Sequence, residues 1–539
     1  MAVELNTMIL GHIMQTKAES VPDKKCLIFE RNQNPDIHLT YADVWRNSNK
    51  FAAMLRREGI GKSDKFAILM RNHPEFLYGM TAGTMLGAIS VPIDPRTKGD
   101  KLKYYLNNSE TKLVLITTDL LPTLEEIISD VPSVKAVYVT YMPWEESVAK
   151  SKYSTTNEVL EGPDASIGNH IEDPLHPLEI IYTSGTTGDP KGVVCTNNRV
   201  AMYALLGQMV WGYQEDEILY TGLSLTHGNA QAVTVMPGLV LERLVVLSER
   251  FTKSRLWDVC RKFGCTTFSV LGGMATAIYS EPPKPNDADN PVRMVVSAGM
   301  PRAIWEAFEK RFNVKILEWY GAVEGGLAFK PLGVGPVGSF GKPIPGLLEM
   351  KIVDDNDNEC PPHVIGELVS RPATGEAAQV EYYKNPDASK KKVRGGWLRS
   401  GDMGHTDEKG WLFFDYRKGG GLRHNGDFVH PDFVEKVVAE HPDVSEVAIY
   451  GVPAASGAPG ESDVVAAIVP FNRATLNVTS IFEKCRKELE ANFVPSYVQV
   501  LDEIPKTISE KPQERFLIER FNTDKGNIFT EERARVSTK

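Results

Sequence analysis

Short apolar runs of strand length alternate with helix-like patterns over the first 400 residues of the chain. Clear runs of this kind lie at 113–117, 136–140, 178–184 and 292–299. The longest uncharged run, from Phe76 to Ile93, is interrupted by three glycines and a proline. It therefore predicts a buried helix followed by a strand rather than a membrane span. Strands that alternate with helices in this way are typical of an α/β architecture.

The pattern changes after the strand-like segment 413–417. Three consecutive glycines, Gly419 to Gly421, follow it and favour a hinge, because a residue without Cβ samples far more backbone conformations. The rest of the chain has strand patterns at 447–452 and 464–471, and a helix predicted to open at Ser480 with Glu483 in capping-box spacing. We therefore predict a large N-terminal α/β domain over residues 1–417 and a small, mobile α+β domain over residues 418–539.

Composition narrows the classes of function. The chain has 60 Lys and Arg against 70 Asp and Glu, a net charge of −10, which disfavours broad binding to nucleic acid or to anionic membranes. Its six cysteines are too scattered for a disulfide framework or a zinc site. Glu4 stands where a secretory signal has positive charge, and the free thiols fit a reducing compartment. A cytoplasmic location is expected.

The segment most informative about chemistry runs from Ile181 to Val194, where an apolar strand leads into a loop. The loop combines small hydroxyl and glycine residues with one lysine: Thr183, Ser184, Gly185, Thr186, Thr187, Gly188 and Lys191. Hydroxyls and glycine amides packed this closely can surround phosphate oxygens, and the lysine adds a positive charge. The residue order of a Walker A loop is absent. The segment predicts a phosphate-binding loop of a different kind.

The string Tyr-Thr-Ser-Gly-Thr-Thr-Gly-x-Pro-Lys-Gly resembles the signature loop of the adenylate-forming superfamily. That superfamily includes acyl-CoA synthetases, luciferases and the adenylation domains of peptide synthetases. Further motifs follow in the family's order, so that the resemblance spans about residues 10–520. It implies that the small C-terminal domain rotates between two half-reactions.

The resemblance implies roles on the nucleotide side of the site. Tyr320 and Gly321 match the motif whose aromatic ring stacks on adenine, and Glu324 matches the residue that holds Mg²⁺ against the phosphates. Asp402 resembles the aspartate that accepts both ribose hydroxyls. Arg417, at the expected domain junction, resembles the arginine that contacts the ribose.

Three further positions follow from the resemblance. His227 lies where the family places an aromatic residue or a histidine beside the acyl pocket. Lys511 falls on the family's catalytic lysine, in the segment Pro-Lys-Thr-Ile-Ser-Glu-Lys. The loop around Gly426 matches the one that lines the tunnel for the pantetheine arm of coenzyme A.

The chain departs from the family pattern at four positions. Val323 stands where the family usually has threonine, which puts one phosphate contact in doubt. Gly420 replaces the usual Asp or Lys of the hinge. Glu510 replaces a glycine, and Pro512 follows the catalytic lysine, so the local backbone there must differ from the usual loop.

The resemblance implies an ATP-dependent carboxylate–CoA ligase that forms AMP. The carboxylate and ATP give an acyl-adenylate and pyrophosphate, and coenzyme A then gives acyl-CoA and AMP. ATP, Mg²⁺ and coenzyme A are the expected cofactors and co-substrates. The expected partners are a small carboxylic acid and coenzyme A, with no nucleic acid and no integral membrane; a homodimer is left open.

Two alternatives stay open at this point. The off-pattern positions would suit a non-catalytic protein that binds acyl groups or nucleotides on the same fold. The adenylate could also be passed to an acceptor other than coenzyme A. The polar segment 227–231 and the pair Gly325–Gly326 favour a short, medium or ring-containing acid over a long fatty chain. The pattern resembles the carnitine/crotonobetaine–CoA ligase and medium-chain groups.

Overall fold

The computed structural model describes residues 9–32, 34–141, 152–183, 190–302, 304–417, 422–425, 427–429, 431–457, 461–505 and 512–537. These residues form two compact units. The first contains residues up to 95, 103–183 and 190–416, and the second contains residues 96–102 and the chain from 417 onward. Among the described residues, none of the helices combines the length and apolar character that a membrane crossing requires. The domain boundary at residue 418 stays a prediction.

The strands up to residue 417 are β1 Lys25–Glu30, β2 Ile37–Thr40, β3 Lys65–Leu69, β4 Ile89–Pro92, β5 Leu113–Thr117, β6 Ala136–Thr140, β7 Ser154–Thr155, β8 Pro177–Thr183, β9 Lys191–Thr196, β10 Ile218–Thr221, β11 Leu244–Ser248, β12 Thr267–Leu271, β13 Met294–Ala298, β14 Lys315–Ala322, β15 Gly325–Lys330, β16 Lys342–Pro343, β17 Leu348–Val353, β18 Gly366–Pro372, β19 Val393–Arg394, β20 Trp397–Thr406 and β21 Leu412–Arg417. The later strands are β22 Leu422–His424, β23 Asp427–Val429, β24 Val444–Pro453, β25 Ser462–Pro470, β26 Tyr497–Val500 and β27 Ile528–Phe529.

The helices are α1 Leu10–Ser20, α2 Tyr41–Arg57, α3 Pro74–Leu86, α4 Gly99–Ser109, α5 Leu121–Glu125, α6 Thr156–Glu161, α7 Asn198–Met209, α8 Met236–Leu241, α9 Leu256–Phe263, α10 Gly272–Tyr279, α11 Trp305–Phe312, α12 Pro386–Lys392, α13 Pro431–Ala439, α14 Val478–Glu488, α15 Glu514–Thr523 and α16 Glu531–Ser537. A π-helix at Ala230–Val235 leads directly into α8.

Three sheets build the first unit. A nine-stranded sheet has the order β16-β15-β14-β13-β12-β10-β11-β1-β2, and a seven-stranded sheet has the order β7-β6-β5-β3-β4-β8-β9. In both, the central strands run parallel, and antiparallel hairpins such as β14–β15 and β8–β9 lie at the edges, whereas the short edge strand β7 pairs parallel with β6. A smaller sheet of β17, β18, β20, β19 and β21 is antiparallel where its register is given.

The cores follow from the apolar runs. Every residue of β5 is buried, as expected for a central strand of a parallel sheet covered on both faces. All of α3 is buried as well, and it leads into β4, so the predicted helix and strand within 76–93 are confirmed. The runs at 113–117 and 136–140 are strands with those limits. The α/β fold is confirmed.

The second unit has its own sheet, in the order β24-β25-β26-β27, and a separate hairpin of β22 and β23. The strands predicted at 447–452 and 464–471 lie within or overlap β24 and β25. The capping box predicted at Ser480 is wrong. The residue that caps α14 is Asn477, whose side-chain oxygen accepts from the Ser480 amide at 3.3 Å, and the Ser480 hydroxyl bonds back to the Asn477 carbonyl.

One glycine of the first unit is required by close backbone packing. Gly341 has φ +105°, and a Cβ there would overlap the carbonyl group of Phe329. We expect Gly341→Ala to lower the free energy of unfolding by about 1–3 kcal/mol beyond the ordinary cost of positive φ, because the strand must shift. Urea unfolding followed by tryptophan fluorescence measures this unit alone, since all eight tryptophans precede residue 417.

The matched control is Gly346→Ala. Gly346 has φ +74°, but nothing lies within 4 Å of the Cβ position, so only the conformational cost of about 1–2 kcal/mol applies. Equal losses for the two variants would contradict the close approach at Gly341.

Candidate active site

The predicted phosphate loop joins two paired strands. β8 and β9 form an antiparallel hairpin in which Thr183 is directly opposite Lys191, and the Thr183 hydroxyl lies 3.5 Å from the Lys191 carbonyl oxygen. Ser184, Gly185, Thr186, Thr187 and Gly188 lie outside the described residues. The hairpin brings the first hydroxyl of the motif and its lysine to one place at the edge of the seven-stranded sheet.

Tyr320 and Asp402, 82 residues apart in sequence, are in direct contact. The Tyr320 hydroxyl donates to Asp402 Oδ2 at 2.5 Å, and Asp402 is only 8% exposed. The Phe340 ring lies 4.8 Å from the Tyr320 ring, centroid to centroid, at an angle of 32°. Tyr320 is on β14 and Asp402 on β20, so this bond links the nine-stranded sheet to the smaller sheet. Gly321 follows Tyr320 on β14.

Glu324 lies in the two-residue turn between β14 and β15. Its Oε1 accepts a hydrogen bond of 3.0 Å from the Tyr382 hydroxyl, and the Tyr382 ring in turn lies under Lys191, whose Nζ is 5.6 Å from the ring centroid. The candidate metal ligand and the lysine of the predicted phosphate loop therefore contact one tyrosine, the first at its hydroxyl and the second at its ring. Sequence reasoning did not identify Tyr382.

Two further contacts stabilise the turn that carries Glu324. The Arg199 guanidinium donates to the Val323 carbonyl oxygen at 2.8 Å. The Val323 side chain packs against an apolar cluster formed by Ile181, Val193, Cys195 and Tyr382. Valine at this off-pattern position therefore adds a partly buried apolar side chain to that cluster.

His227 begins the segment that leads into the π-helix. It is exposed, and its Nδ1 accepts from the Asn229 amide at 3.2 Å, which leaves Nε2 as the protonated nitrogen of the neutral ring. A Cβ on Gly228 would lie 3.6 Å from Val323 Cγ2, so this segment lies close to the turn of Glu324. π-Helical turns of this kind are frequent at functional sites.

Two buried amides follow His227. Asn229 is 4% exposed, and neither atom of its side-chain amide has a hydrogen-bond partner among the described residues. The Gln231 amide is bonded through its nitrogen, since Nε2 donates to Glu179 Oε2 and to the Leu225 carbonyl at 3.1 and 3.0 Å, whereas its Oε1 has no partner among the described residues. Only Asn229 is therefore left to bond a ligand through both atoms of its amide.

Glu179 is a fully buried carboxyl on β8, four residues before Thr183. Burial raises its pKa to about 7, while the Gln231 hydrogen bond and the nearby Arg199 guanidinium act in the opposite direction. Its Oε1 has no partner among the described residues. A carboxyl in this setting is largely protonated below neutral pH.

Several residues predicted from the sequence fall outside the described part of the chain. Gly420, Gly426, Glu510 and Lys511 lie outside the described residues, as do the five loop residues named above. Arg417 ends β21, and its side chain also lies outside what the structure describes. The structure therefore brings together Thr183 with Lys191, Tyr320 with Asp402, and Glu324 with Lys191 through Tyr382.

The acidic side chains of the candidate site suit a metal ion that is held mainly by the phosphates of a bound nucleotide. The described residues bring no three His, Cys, Asp or Glu side chains together as a metal site. Mg²⁺ is commonly bound by one or two carboxylates plus substrate phosphates. Glu324 is half-buried, and among the described residues its Oε2 accepts no hydrogen bond. A single hard oxygen ligand beside a phosphate loop suits that ion.

Sequence comparisons show which known proteins the chain is similar to. Residues 14–375 match the family described as AMP-binding enzyme, and residues 434–511 match the AMP-binding enzyme C-terminal domain. The crotonobetaine/carnitine–CoA ligase of Salmonella paratyphi B is 28% identical over 506 residues, which cover 91% of this chain and 95% of the relative. The medium/long-chain-fatty-acid–CoA ligase FadD17 of Mycobacterium tuberculosis is 29% identical over 488 residues, covering 89% and 92%.

Among solved structures, the amide bond synthetase McbA of Marinactinospora thermotolerans has the same fold, with a TM-score of 0.80. It is 20% identical, and the similarity covers 95% of this chain and all of that one.

The raised pKa of Glu179 generates a prediction about stability. Its pKa is higher in the folded than in the unfolded chain, so the folded state keeps the proton longer, and stability falls as the pH rises from about 4.5 to about 7. Glu179→Gln removes this titration. Relative to wild type, the variant should gain up to about 3 kcal/mol of unfolding free energy between pH 5 and pH 8.

Urea unfolding followed by tryptophan fluorescence at the two pH values measures the difference. The exposed Glu126→Gln serves as the control and should give the same difference at both. A pH-independent difference for Glu179→Gln would mean that Arg199 keeps the carboxylate ionised in the folded chain.

Proposed function

The chain belongs to the family of AMP-binding enzymes, and from that membership we propose the reaction that it performs. It is an AMP-forming carboxylate–CoA ligase. A carboxylate and ATP give an acyl-adenylate and pyrophosphate, and coenzyme A then gives the thioester and AMP. The observation that carries the proposal is the meeting of the Tyr320–Asp402 pair, the Lys191 hairpin and Glu324 in one unit.

The first half-reaction converts the carboxylate, whose oxygen is a poor leaving group, into an acyl-adenylate, from which AMP is a good leaving group. The carboxylate oxygen attacks the α-phosphorus of ATP, and pyrophosphate leaves with the electrons of the broken P–O bond. Negative charge develops on the phosphoryl oxygens, and fixed donors and cations stabilise it without reorganisation. We assign this work to the loop from Thr183 to Gly188, to Lys191 and to Lys511. The contact of Thr183 with the Lys191 carbonyl supports the first two assignments.

The nucleoside is assigned to Tyr320, Gly321, Asp402 and Arg417. The packing of Phe340 on Tyr320 supports an aromatic surface for adenine. The Tyr320 hydroxyl donates to Asp402 Oδ2, and a carboxylate, which has two acceptor oxygens, suits the paired hydroxyls of a ribose. Glu324 would hold Mg²⁺, which when bound neutralises charge on the phosphates.

In the second half-reaction the thiol of coenzyme A attacks the carbonyl carbon of the adenylate, and AMP leaves. We propose that the small domain rotates about the glycines at 419–421, removing Lys511 and presenting the loop of Gly426 to the pantetheine arm. Support comes from the run of three glycines itself, which offers little resistance to changes of φ and ψ. We further propose that the enzyme acts in the cytoplasm, as a monomer or a homodimer.

The acid is proposed to be short, medium or ring-containing and to carry a hydrogen-bonding group. Asn229 supports this, because its buried amide has no partner among the described residues and lies two residues from His227. The two curated relatives named above act on acids of different kinds, crotonobetaine or carnitine and medium or long fatty acids. A panel that spans both classes is therefore needed.

The test is release of pyrophosphate and AMP from ATP and Mg²⁺ with acids from acetate to palmitate, benzoate, cyclohexanecarboxylate and crotonobetaine, with and without coenzyme A. We expect release that depends on one class of acid, with a matching thioester. Lys511→Ala should lower adenylation by about 10²-fold or more while thioester formation from preformed acyl-adenylate survives. The control is Lys487→Ala, an exposed lysine on α14.

The possible results separate the alternatives. ADP in place of AMP would contradict the proposed reaction. AMP without a thioester would mean that the acceptor is not coenzyme A. ATP binding with no release across the panel would favour the non-catalytic alternative, and wild-type adenylation by Lys511→Ala would remove that residue from the catalytic position.

Asp402→Asn tests the ribose assignment. Asparagine keeps one acceptor oxygen but offers an NH₂ where the second ribose hydroxyl donates, so AMP should bind about 10-fold to 100-fold more weakly in calorimetry. The control Asp415→Asn removes the same charge from neighbouring β21, where Asp415 contacts His405. Unchanged AMP affinity of Asp402→Asn, with a normal unfolding midpoint, would exclude Asp402 from the ribose site.

A further inference from the structure

Tyr382 is fixed to the strand that follows the phosphate loop. It forms an antiparallel bridge with Val193, the Tyr383 amide donates to the Gly192 carbonyl at 2.7 Å, and the Val194 amide donates to the Glu381 carbonyl at 2.9 Å. The segment 381–383 therefore continues the pairing of β9 on its free edge. Backbone bonds on both sides of Tyr382 set its position relative to Lys191.

Its side chain is almost fully enclosed. Tyr382 is 5% exposed, and its ring packs with Ile181, Val193 and Cys195. Val323, the residue before Glu324, packs against the same cluster. Packing of the ring fixes the position of the phenol oxygen, so the bond to Glu324 is preorganised.

The Tyr382 hydroxyl bonds only one of the two carboxylate oxygens of Glu324. It donates to Oε1 at 3.0 Å, whereas among the described residues Oε2 accepts no hydrogen bond. A carboxylate that is fixed through one oxygen presents the other in a defined direction. Hydrogen bonds to a ligating carboxylate orient it, and their loss typically costs 10-fold to 100-fold in metal affinity.

Lys191 lies against the Tyr382 ring and, among the described residues, forms no ion pair with Glu324. Lys191 Nζ lies 5.6 Å from the ring centroid, and no ion pair within 4.0 Å joins Lys191 to Glu324, both in the described part of the chain. An ammonium is attracted to the face of an aromatic ring, so it has a favourable position other than the carboxylate. Without the ring, Lys191 and Glu324 could pair with each other, and both would be less available to phosphates and a cation.

We propose that Tyr382 is a positioning residue: its hydroxyl orients Glu324 for the metal–nucleotide complex, and its ring keeps Lys191 from pairing with that carboxylate. The proposal rests on the proposed function only in taking Glu324 as the metal ligand. It assigns no bond-making step to Tyr382. A tyrosine that served packing alone would need the ring but not the hydroxyl, and this difference can be measured.

Tyr382→Phe removes the hydroxyl and keeps the ring, and Tyr382→Leu removes both. Tyr383→Phe is the matched control, because Tyr383 is the next residue and its hydroxyl bonds the exposed Glu110 at 3.4 Å. Binding of Mn²⁺ in the presence of ATP, followed by electron paramagnetic resonance, reports the metal directly. Binding of ATP in EDTA, measured by calorimetry, reports the nucleotide without metal.

We expect Tyr382→Phe to weaken Mn²⁺ binding about 10-fold or more, with ATP binding in EDTA unchanged. Tyr382→Leu should weaken both, because Lys191 is then free to pair with Glu324. Tyr383→Phe should match wild type in both measurements. The same pattern of metal loss should appear as a raised Mg²⁺ requirement for pyrophosphate release.

The outcomes distinguish this inference from the proposed reaction. Wild-type Mn²⁺ binding by Tyr382→Phe would overturn the inference even if the ligase reaction is confirmed. Absence of ATP-dependent Mn²⁺ binding in the wild-type protein would overturn it as well. Selective loss of Mn²⁺ in Tyr382→Phe would support it even if no acid in the panel gives AMP.

Discussion

The two-residue turn between β14 and β15 is the constraint on which the candidate site depends. Tyr320 precedes the turn on β14, and Glu324 lies within it. The bond from Tyr320 to Asp402 ties the turn to the smaller sheet, and the bond from Tyr382 to Glu324 ties it to the edge of the seven-stranded sheet. The candidate site therefore forms where three sheets meet, and a shift in any one would separate the residues proposed to bind the nucleotide.

Two buried polar side chains near this turn have atoms without hydrogen-bond partners. Glu179 and Asn229 are both nearly inaccessible to solvent, and among the described residues nothing bonds Glu179 Oε1 or either side-chain amide atom of Asn229. Such groups cost free energy in the folded chain, commonly about 1–3 kcal/mol each. They lie on the strand leading into the predicted phosphate loop and on the segment that opens the π-helix. A protein that binds a polar ligand between these elements recovers part of that cost on binding.

Sequence patterns predicted helices and strands correctly where a single physical rule determines them. The runs at 113–117 and 136–140 became strands with those limits, because parallel strands covered on both faces are continuously apolar. The capping box at Ser480 failed because Asn477, three residues earlier, supplies an equally good acceptor. Periodicity cannot choose between two nearby caps.

The contacts of the candidate site could not be predicted from local sequence patterns. Resemblance named Tyr320 and Asp402, but their contact joins residues 82 positions apart and no local pattern encodes it. Tyr382 was missed because adjacent tyrosines at 382 and 383 look alike in sequence, and only strand pairing turns one inward. Val323, which departs from the family's threonine, packs on that inward ring. Val323 thus packs on the same tyrosine whose hydroxyl bonds Glu324, so two consecutive residues of the turn contact one side chain, and neither contact needs a hydroxyl at position 323.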